Sequence, residues 1–235
     1  MVSAKQLHEL QETDTVAAEK DTELKEVRAR LADGKPIAAA TQKASQLDAQ
    51  AEAQSKSRNS AQVAVRQMQD KMKEIDGKLY GGGITNAREL TAFEEERQFL
   101  QTQLGEEEDR LLELMVVVDD LQESRDDAVK ALKGLEARRE IEVPQLQHSQ
   151  AVLEKELAQL AADRKQLTPK IPPQYLATYE SLRRTRGGRA VARLDKARGI
   201  CLACRIALPA KDLQRAKASR EIVQCNSCHR ILYVE

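Results

Sequence analysis

Mostly apolar residues recur in alternating steps of three and four along two stretches of this 235-residue chain, and this repeat constrains the fold more than any other feature. The first stretch runs from Ile37 to Leu79 and the second from Leu90 to Leu135. Such steps place mostly apolar side chains on one narrow stripe of a helix, which is the pattern of a coiled-coil seam. The first seam comprises Ile37, Ala40, Ala44, Leu47, Ala51, Gln54, Arg58, Ala61, Val65, Met68, Met72, Ile75 and Leu79; the second comprises Leu90, Phe93, Arg97, Leu100, Leu104, Glu107, Leu111, Leu114, Val118, Leu121, Arg125, Ala128, Leu132 and Leu135.

The segment Tyr80–Glu89 between the two seams predicts that the chain folds back on itself. Three consecutive glycines can end one helix, and Asn86 with Glu89 can cap the next. Taking this segment as the tip sets Ile37 opposite Leu132. A second break, at Asp33–Pro36, predicts a bend. Below that break only heptad leucines and alanine remain in the seam, so the base is predicted to pack more loosely than the tip half.

Composition supports long helices rather than a broad core. Charged side chains make up 32% of the chain and aromatic ones 3%, with no tryptophan. No apolar signal region stands at the start, and the longest aliphatic run, Leu114–Val118, is too short to span a bilayer. The chain is therefore predicted to be soluble and cytoplasmic, without membrane insertion.

All four cysteines stand in two Cys-x-x-Cys pairs, Cys201 with Cys204 and Cys225 with Cys228. Each pair can present two thiolates to one ion, and together they complete the closed tetrahedral shell of a structural zinc site. A thioredoxin-like redox pair would need a βαβ context, and two disulfides would need a secreted chain. The prediction is one structural Zn²⁺, with the adjacent His229 outside the shell.

The residues between the coiled coil and the end of the chain predict two further parts. Prolines at 169, 172 and 173 end the coiled coil, and a short helix over Gln174–Arg184 follows. A strand near Ala190–Arg193 and a hairpin of Glu221–Gln224 with Arg230–Tyr233 then build a zinc ribbon. The predicted division is 1–169, an antiparallel coiled-coil hairpin with its tip at 80–89; 170–199, a linker with a short helix and a basic segment; and 200–235, the ribbon. The predicted fold class is mainly α, a long kinked antiparallel coiled-coil hairpin followed by a small β-rich zinc ribbon.

The two parts of the chain carry opposite net charges, although the net charge of the whole chain is zero. Residues 1–169 carry 24 Lys and Arg against 33 Asp and Glu, whereas residues 170–235 carry 14 against 5. Arginine binds phosphate with two parallel hydrogen bonds, so the basic segment is the candidate nucleic-acid contact. Its residues are Arg183, Arg184, Arg186, Arg189, Arg193, Lys196 and Arg198, with Tyr175, Tyr179 and Tyr233 as the tail aromatics that could stack on bases. The alternative is that these arginines face an acidic protein or the acidic coiled coil.

No constellation of catalytic residues is present in the sequence. His8 and His148 are single histidines on polar helices, predicted to be exposed, with no nucleophile or paired carboxylate at a defined spacing. The prediction is that the chain is not an enzyme and has no small-molecule substrate.

The order of three segments resembles a bacterial family of coiled-coil proteins with a C-terminal four-cysteine zinc ribbon. These are Leu79–Leu90 at the tip, Tyr179–Arg184 with Arg186–Val191, and Cys225–Tyr233 at the end. The family commonly has glycine where His229 stands and proline where Asn226 stands. The resemblance implies a kinked helical hairpin and a basic ribbon, and some members are partners of an alternative sigma factor, of messenger RNA or of export machinery.

Two functions of different classes follow. The first is a zinc-binding adaptor whose basic C-terminal region binds RNA or DNA while its coiled coil recruits proteins, in regulation of gene expression. The alternative is a protein-only adaptor or chaperone for a transcription factor or export machinery, in which the ribbon also grips protein.

Overall fold

The computed structural model describes residues 4–218 and 221–234. Among these residues, helices dominate and the strands are confined to the C-terminal part. The elements are α1 (Ala4–Ala32), α2 (Lys35–Tyr80), α3 (Ala87–Leu167), a 3₁₀ turn (Thr168–Lys170), α4 (Pro173–Thr185), β1 (Val191–Asp195), β2 (Ile200–Cys201), α5 (Ala210–Ala218) and β3 (Ile231–Tyr233). No helix of the described residues is both long and apolar enough to cross a membrane.

The predicted coiled-coil seam is confirmed position by position. Every seam residue of α2 and of α3 is buried or half-buried. The fully covered positions are Ala44, Ala51, Ala61, Val65 and Ile75 in α2 and Leu100, Val118 and Ala128 in α3. Alanines at four of these positions carry little side-chain volume, so the two helices need no large side chains to close their seam.

The register of α2 against α3 agrees with the sequence to within one helical turn. Asp76 pairs with Arg97 at 2.6 Å and Asp48 with Arg125 at 3.7 Å. Each arginine lies four residues further along α3 than the position that the predicted register sets opposite its aspartate. Helical side chains lean towards the N-terminus of their helix, and in an arginine that lean spans about one turn, so the guanidinium reaches back to the expected level.

The tip and the lower helix break lie where the sequence placed them. Helix α2 ends at Tyr80, and Gly82 adopts a left-handed φ of 71°. Asn86 begins α3, because its side-chain oxygen accepts a hydrogen bond from the backbone N–H of Arg88 at 3.1 Å. The break between Ala32 and Lys35 coincides with the boundary between two compact units, residues 33–141 and residues 4–32 with 142–234. The bend predicted there stays a prediction, as does the three-part division of the chain.

The base of the coiled coil is not loosely packed, and that prediction is wrong. Leu7 and Leu10 of α1 have no solvent-exposed surface. They pack with Tyr179 of α4, Val191 of β1 and Ile231 of β3 in one apolar cluster, which we call the base cluster. The sequence pattern considered two helices only, whereas α4 and the sheet cover α1 from outside the seam.

The three strands form a small sheet in the order β2-β1-β3. Strand β1 pairs with β2 antiparallel, as a hairpin, but with β3 parallel, with Val191 opposite Ile231. The hairpin predicted around the second cysteine pair is reduced to one bridge, between Gln224 and Ile231. Strand β3 instead uses its buried residues to extend the sheet along the base cluster.

Candidate zinc centre and basic surface

The first cysteine pair is held by a tight backbone turn. Cys201 ends β2, and its carbonyl accepts a hydrogen bond from the N–H of Arg205 at 2.7 Å. The chain then returns beside itself, because the N–H of Cys201 donates to the carbonyl of Ile206 at 3.0 Å. The turn therefore aims the thiols of Cys201 and Cys204 to the same side.

The second pair repeats this geometry. The carbonyl of Cys225 accepts from the N–H of His229 at 2.8 Å, and the N–H of Cys225 donates to the carbonyl of Arg230 at 2.9 Å. In both turns the residue after the second cysteine has a left-handed backbone, with φ of 62° at Arg205 and 59° at His229. Two equivalent turns thus face each other.

The four thiols converge to a spacing that fits one zinc ion. All four Sγ atoms lie within 4.8 Å of one another, with Cys201 and Cys228 3.9 Å apart and Cys204 and Cys225 3.6 Å apart. Zinc–sulfur bonds of about 2.3 Å at tetrahedral angles separate sulfur atoms by about 3.8 Å. Cys201, Cys225 and Cys228 are buried and Cys204 is half-buried. The cluster is a closed C4 site, and zinc is its cofactor.

Without metal, this cluster favours the protonated thiol at two of its members. Burial raises the pKa of Cys201 to about 12 and also raises the pKa of Cys225. Burial opposes ionisation of Cys228 as well, but hydrogen bonds from the backbone and side chain of Arg230 lower its pKa to about 7. Zinc binding must therefore displace protons, so zinc affinity falls as the solution becomes more acidic.

His229 is exposed and lies outside the cluster of metal-ligating side chains found among the described residues. Its φ of 59° is left-handed, a conformation that glycine adopts freely and that strains a residue with a side chain.

Replacing His229 by glycine is expected to stabilise the ribbon by about 0.5–1 kcal/mol, because it relieves this strain. The midpoint of zinc removal by a graded chelator measures the effect. Ser227→Gly is the matched control, since Ser227 is also exposed but lacks a positive φ. It should shift the midpoint in the opposite direction through backbone entropy; equal shifts of one sign would contradict the strain argument.

Helix α1 attaches the ribbon through side chains that the sequence analysis missed. The side-chain amide of Gln11 donates to the carbonyl of Val191 at 3.0 Å and accepts from its N–H at 2.6 Å, as a neighbouring strand would. The ring of His8 packs against that of Tyr233, with centroids 4.4 Å apart. The prediction that His8 is solvent-exposed is therefore wrong, because the sheet covers it.

A buried carboxylate ties α1, α3 and α4 together. Asp14 is 2% exposed, and its oxygens contact Arg164 Nε at 2.7 Å and Arg183 Nη1 at 3.2 Å. The Tyr179 hydroxyl donates to it at 2.9 Å. Burial and the adjacent Asp14 carboxylate raise the pKa of Tyr179, so this hydroxyl remains a donor. Glu180 pairs with Arg164 on the outer side.

The sequence contained a signal for this cluster. Asp14 and Arg164 both occupy seam positions, at the steps of three and four between the heptad leucines, where apolar residues are expected. Asp21 stands at the equivalent seam position one heptad later in α1 but is exposed and pairs with Lys25 in its own helix. The sequence pattern therefore identifies Asp14 as a candidate buried carboxylate, but it does not distinguish Asp14 from Asp21.

The structure brings the predicted basic residues to the surface around the sheet, with one exception. Arg184, Arg186, Arg189, Arg193, Lys196 and Arg198 are exposed. Arg183 is half-buried and engaged by Asp14. Tyr179 is buried and cannot stack on a base, so that part of the prediction is wrong. Tyr175 and Tyr233 are half-buried beside the base cluster.

Two turns hold four of these basic residues, Arg186 and Arg189 in one and Lys196 and Arg198 in the other. Gly187 and Gly188, with φ of 62° and 83°, end α4, and the guanidinium of Arg230 donates to the carbonyls of Arg189 at 2.8 Å and Arg186 at 3.3 Å. In the turn after β1, the Asp195 carboxylate accepts from the N–H groups of Ala197 and Arg198. The backbone N–H of Arg198 lowers the pKa of Asp195. The turn at Gly187–Gly188 is therefore a fixed helix end.

A helical hairpin that carries a closed C4 zinc site is a coiled-coil zinc-ribbon protein. The chain belongs to the family described as the CT398-like coiled coil hairpin domain, whose model matches residues 2–187. The C4-type zinc ribbon domain matches residues 200–232, which include all four cysteines.

Relatives and solved structures agree with this assignment. The chain is 31% identical over 171 residues to uncharacterized proteins from two strains of Mycobacterium tuberculosis, covering 72% of this chain and 67% of theirs. Its fold is similar to that of CT398 from Chlamydia trachomatis, with a TM-score of 0.73, 19% identity, and coverage of 98% of this chain and 97% of that one. It is also similar to HP0958 from Helicobacter pylori, with a TM-score of 0.58, 20% identity, and coverage of 100% and 99%.

Proposed function

We propose that this protein is a non-enzymatic, cytoplasmic adaptor whose basic surface around the zinc ribbon binds nucleic acid while its coiled coil recruits protein partners. One observation carries the proposal: six exposed basic side chains lie within residues 184–198, and four of them are on two turns, one closed by Arg230 and the other by Asp195. Fixed arginines can contact successive phosphates without first losing backbone freedom. Zinc acts here by folding the ribbon.

The burial of the aromatic residues indicates how this protein would bind nucleic acid. Tyr179 is buried, and Tyr175 and Tyr233 are partly covered by the base cluster. Base stacking on exposed aromatic rings is a main source of affinity for single strands in other proteins. Because these three rings are covered, stacking is expected to contribute little to binding by this protein. Binding is therefore expected to depend on phosphates, to be insensitive to base sequence, and to extend to duplex as well as single-stranded substrates.

Replacing Arg184, Arg186 and Arg189 by glutamine is expected to weaken binding of a fluorescent single-stranded RNA by at least about tenfold at low salt. Each lost phosphate contact should reduce the steepness of log K against log salt by about 0.7. Arg183 is left in place because it holds Asp14. Fluorescence anisotropy across a salt series measures both quantities.

The control variant removes the same charge from the coiled coil. Lys43, Arg66 and Arg88 are exposed and lie in α2 and α3. Their replacement by glutamine should leave the salt slope unchanged. Equal losses in the two variants would assign the effect to net charge alone and contradict a basic site at the ribbon.

The alternative function, a protein-only adaptor, has the half-covered tyrosines in its favour, since a surface without free aromatic rings is poorly suited to bind bases. An RNA titration without binding at low salt, together with nuclease-insensitive pull-down of a protein by the full chain, would favour it.

A further inference from the structure

The outer face of α3 carries an apolar ridge that the coiled coil does not use. Leu112, Met115 and Val116 are 60%, 45% and 61% exposed. They lie three and four residues apart, so their side chains form one continuous stripe over about one turn. Of the adjacent seam residues, Val118 is buried and Leu111 and Leu114 are half-buried. The ridge residues are therefore additional to the seam.

The composition of this face makes the ridge unusual. Outer positions of a coiled coil normally carry polar and charged residues, because they face water. Four exposed large apolar residues, including Val117, follow one another within residues 112–117 of α3. Contiguous exposed apolar surface is characteristic of an interaction site, whereas single exposed apolar residues need no explanation.

Carboxylates border the ridge at both ends. Asp109 precedes Leu112 by three residues, and Asp119 and Asp120 follow Val116 by three and four, which makes each a neighbour on the helix surface. All three are exposed, and none has an ion-pair partner among the residues that the structure describes. The face thus combines an apolar stripe with unpaired negative charge.

We propose that this ridge, formed by Leu112, Met115 and Val116 and bordered by Asp109, Asp119 and Asp120, docks a basic amphipathic helix of a protein partner. The inference rests on the recruitment of proteins by the coiled coil proposed above. An apolar stripe on the partner, with residues at i, i+3, i+4 and i+7, would cover the ridge, and flanking lysines or arginines would meet the carboxylates. Charge complementarity is the reason to choose this partner: a second copy would bring its own carboxylates against these.

The probe is a fluorescent 18-residue helical peptide of leucine and lysine, with leucine at the i, i+3, i+4 and i+7 positions. A second peptide keeps the leucines and has glutamate in place of lysine. Anisotropy titrations with the full zinc-loaded chain should give binding of the lysine peptide, weakened by added salt, and none of the glutamate peptide. Equal binding of the two peptides, or no binding of the lysine peptide, would overturn the proposal.

The variants locate the site. Leu112→Gln, Met115→Gln and Val116→Gln together should weaken binding of the lysine peptide by about tenfold or more, since burial of three apolar side chains is lost. Ile141→Gln is the control, because Ile141 is 67% exposed on the same helix but lies 25 residues beyond Val116. It should bind as the unchanged chain does. A ridge variant that binds the peptide normally would also overturn the proposal.

Two further readouts separate this proposal from its neighbours. Sedimentation in which the unchanged chain dimerises and the ridge variant does not would assign the ridge to a second copy, against the proposal. RNA binding by the ridge variant should remain unchanged, since the basic residues lie on other elements. Failure of the peptide with normal RNA binding would leave the nucleic-acid part of the proposed function standing.

Discussion

Replacing Cys201 by serine is expected to unfold the ribbon and leave α2 and the tip half of α3 helical. Apparent zinc-binding free energies in small zinc modules are about 10–16 kcal/mol near neutral pH, and in such modules this energy is folding energy. The C-terminal part has only short strands and a small cluster around the cysteines, so the metal takes the place of a larger core. Limited proteolysis should cut the variant within 200–234 while residues 35–141 resist.

The Cys201→Ser change is also expected to disrupt packing at the base of the coiled coil. Val191 and Ile231 share a cluster with Leu7 and Leu10, and Gln11 pairs with Val191, so loss of the sheet exposes the start of α1. His229→Ala is the control, because an exposed side chain outside the thiol cluster should leave one zinc per chain. A Cys201→Ser protein with zinc content and protease resistance equal to those of the unchanged chain would contradict the C4 site.

Replacing Asp14 by alanine is expected to destabilise the base by about 3–5 kcal/mol. The change removes the buried acceptor shared by Arg164, Arg183 and Tyr179, and it leaves the two partly buried arginines with the half-buried Glu180 in place of two carboxylates. Removal of one member of a buried charge network costs far more than loss of an exposed ion pair. Chemical denaturation followed by circular dichroism measures the difference.

Asp21→Ala provides the matched control for this prediction. Asp21 lies at the equivalent seam position one heptad later in the same helix but is exposed and pairs within α1 with Lys25. Its replacement should change the free energy of unfolding by less than about 0.5 kcal/mol. Similar losses for both variants would mean that Asp14 contributes only as a surface charge.

The features that the sequence predicted are those with a local pattern. Seam residues recur every three or four positions, glycines and Asn86 mark the tip, and each cysteine pair spans four residues, so neighbouring positions suffice to identify them. These local patterns are sufficient to predict the coiled coil, the hairpin and the zinc site without knowledge of tertiary contacts.

The features that it did not predict join residues far apart in the chain. Gln11 pairs with Val191, Asp14 binds Tyr179, and β1 lies parallel to β3. No periodicity connects residues separated by forty or more positions, and a polar residue in a helix gives no sign of which other element covers it. For the same reason the sequence assigned Tyr179 to base stacking, whereas its hydroxyl is needed at Asp14.

The measurement that tests the central claim most directly is titration of fluorescent RNA with the zinc-loaded, unchanged chain over a series of salt concentrations. The proposed adaptor should bind at low salt, with log K falling linearly as log salt rises and with little dependence on base sequence. Absence of binding at low salt, or an affinity that does not change with salt, would contradict a nucleic-acid role for the basic surface around the ribbon.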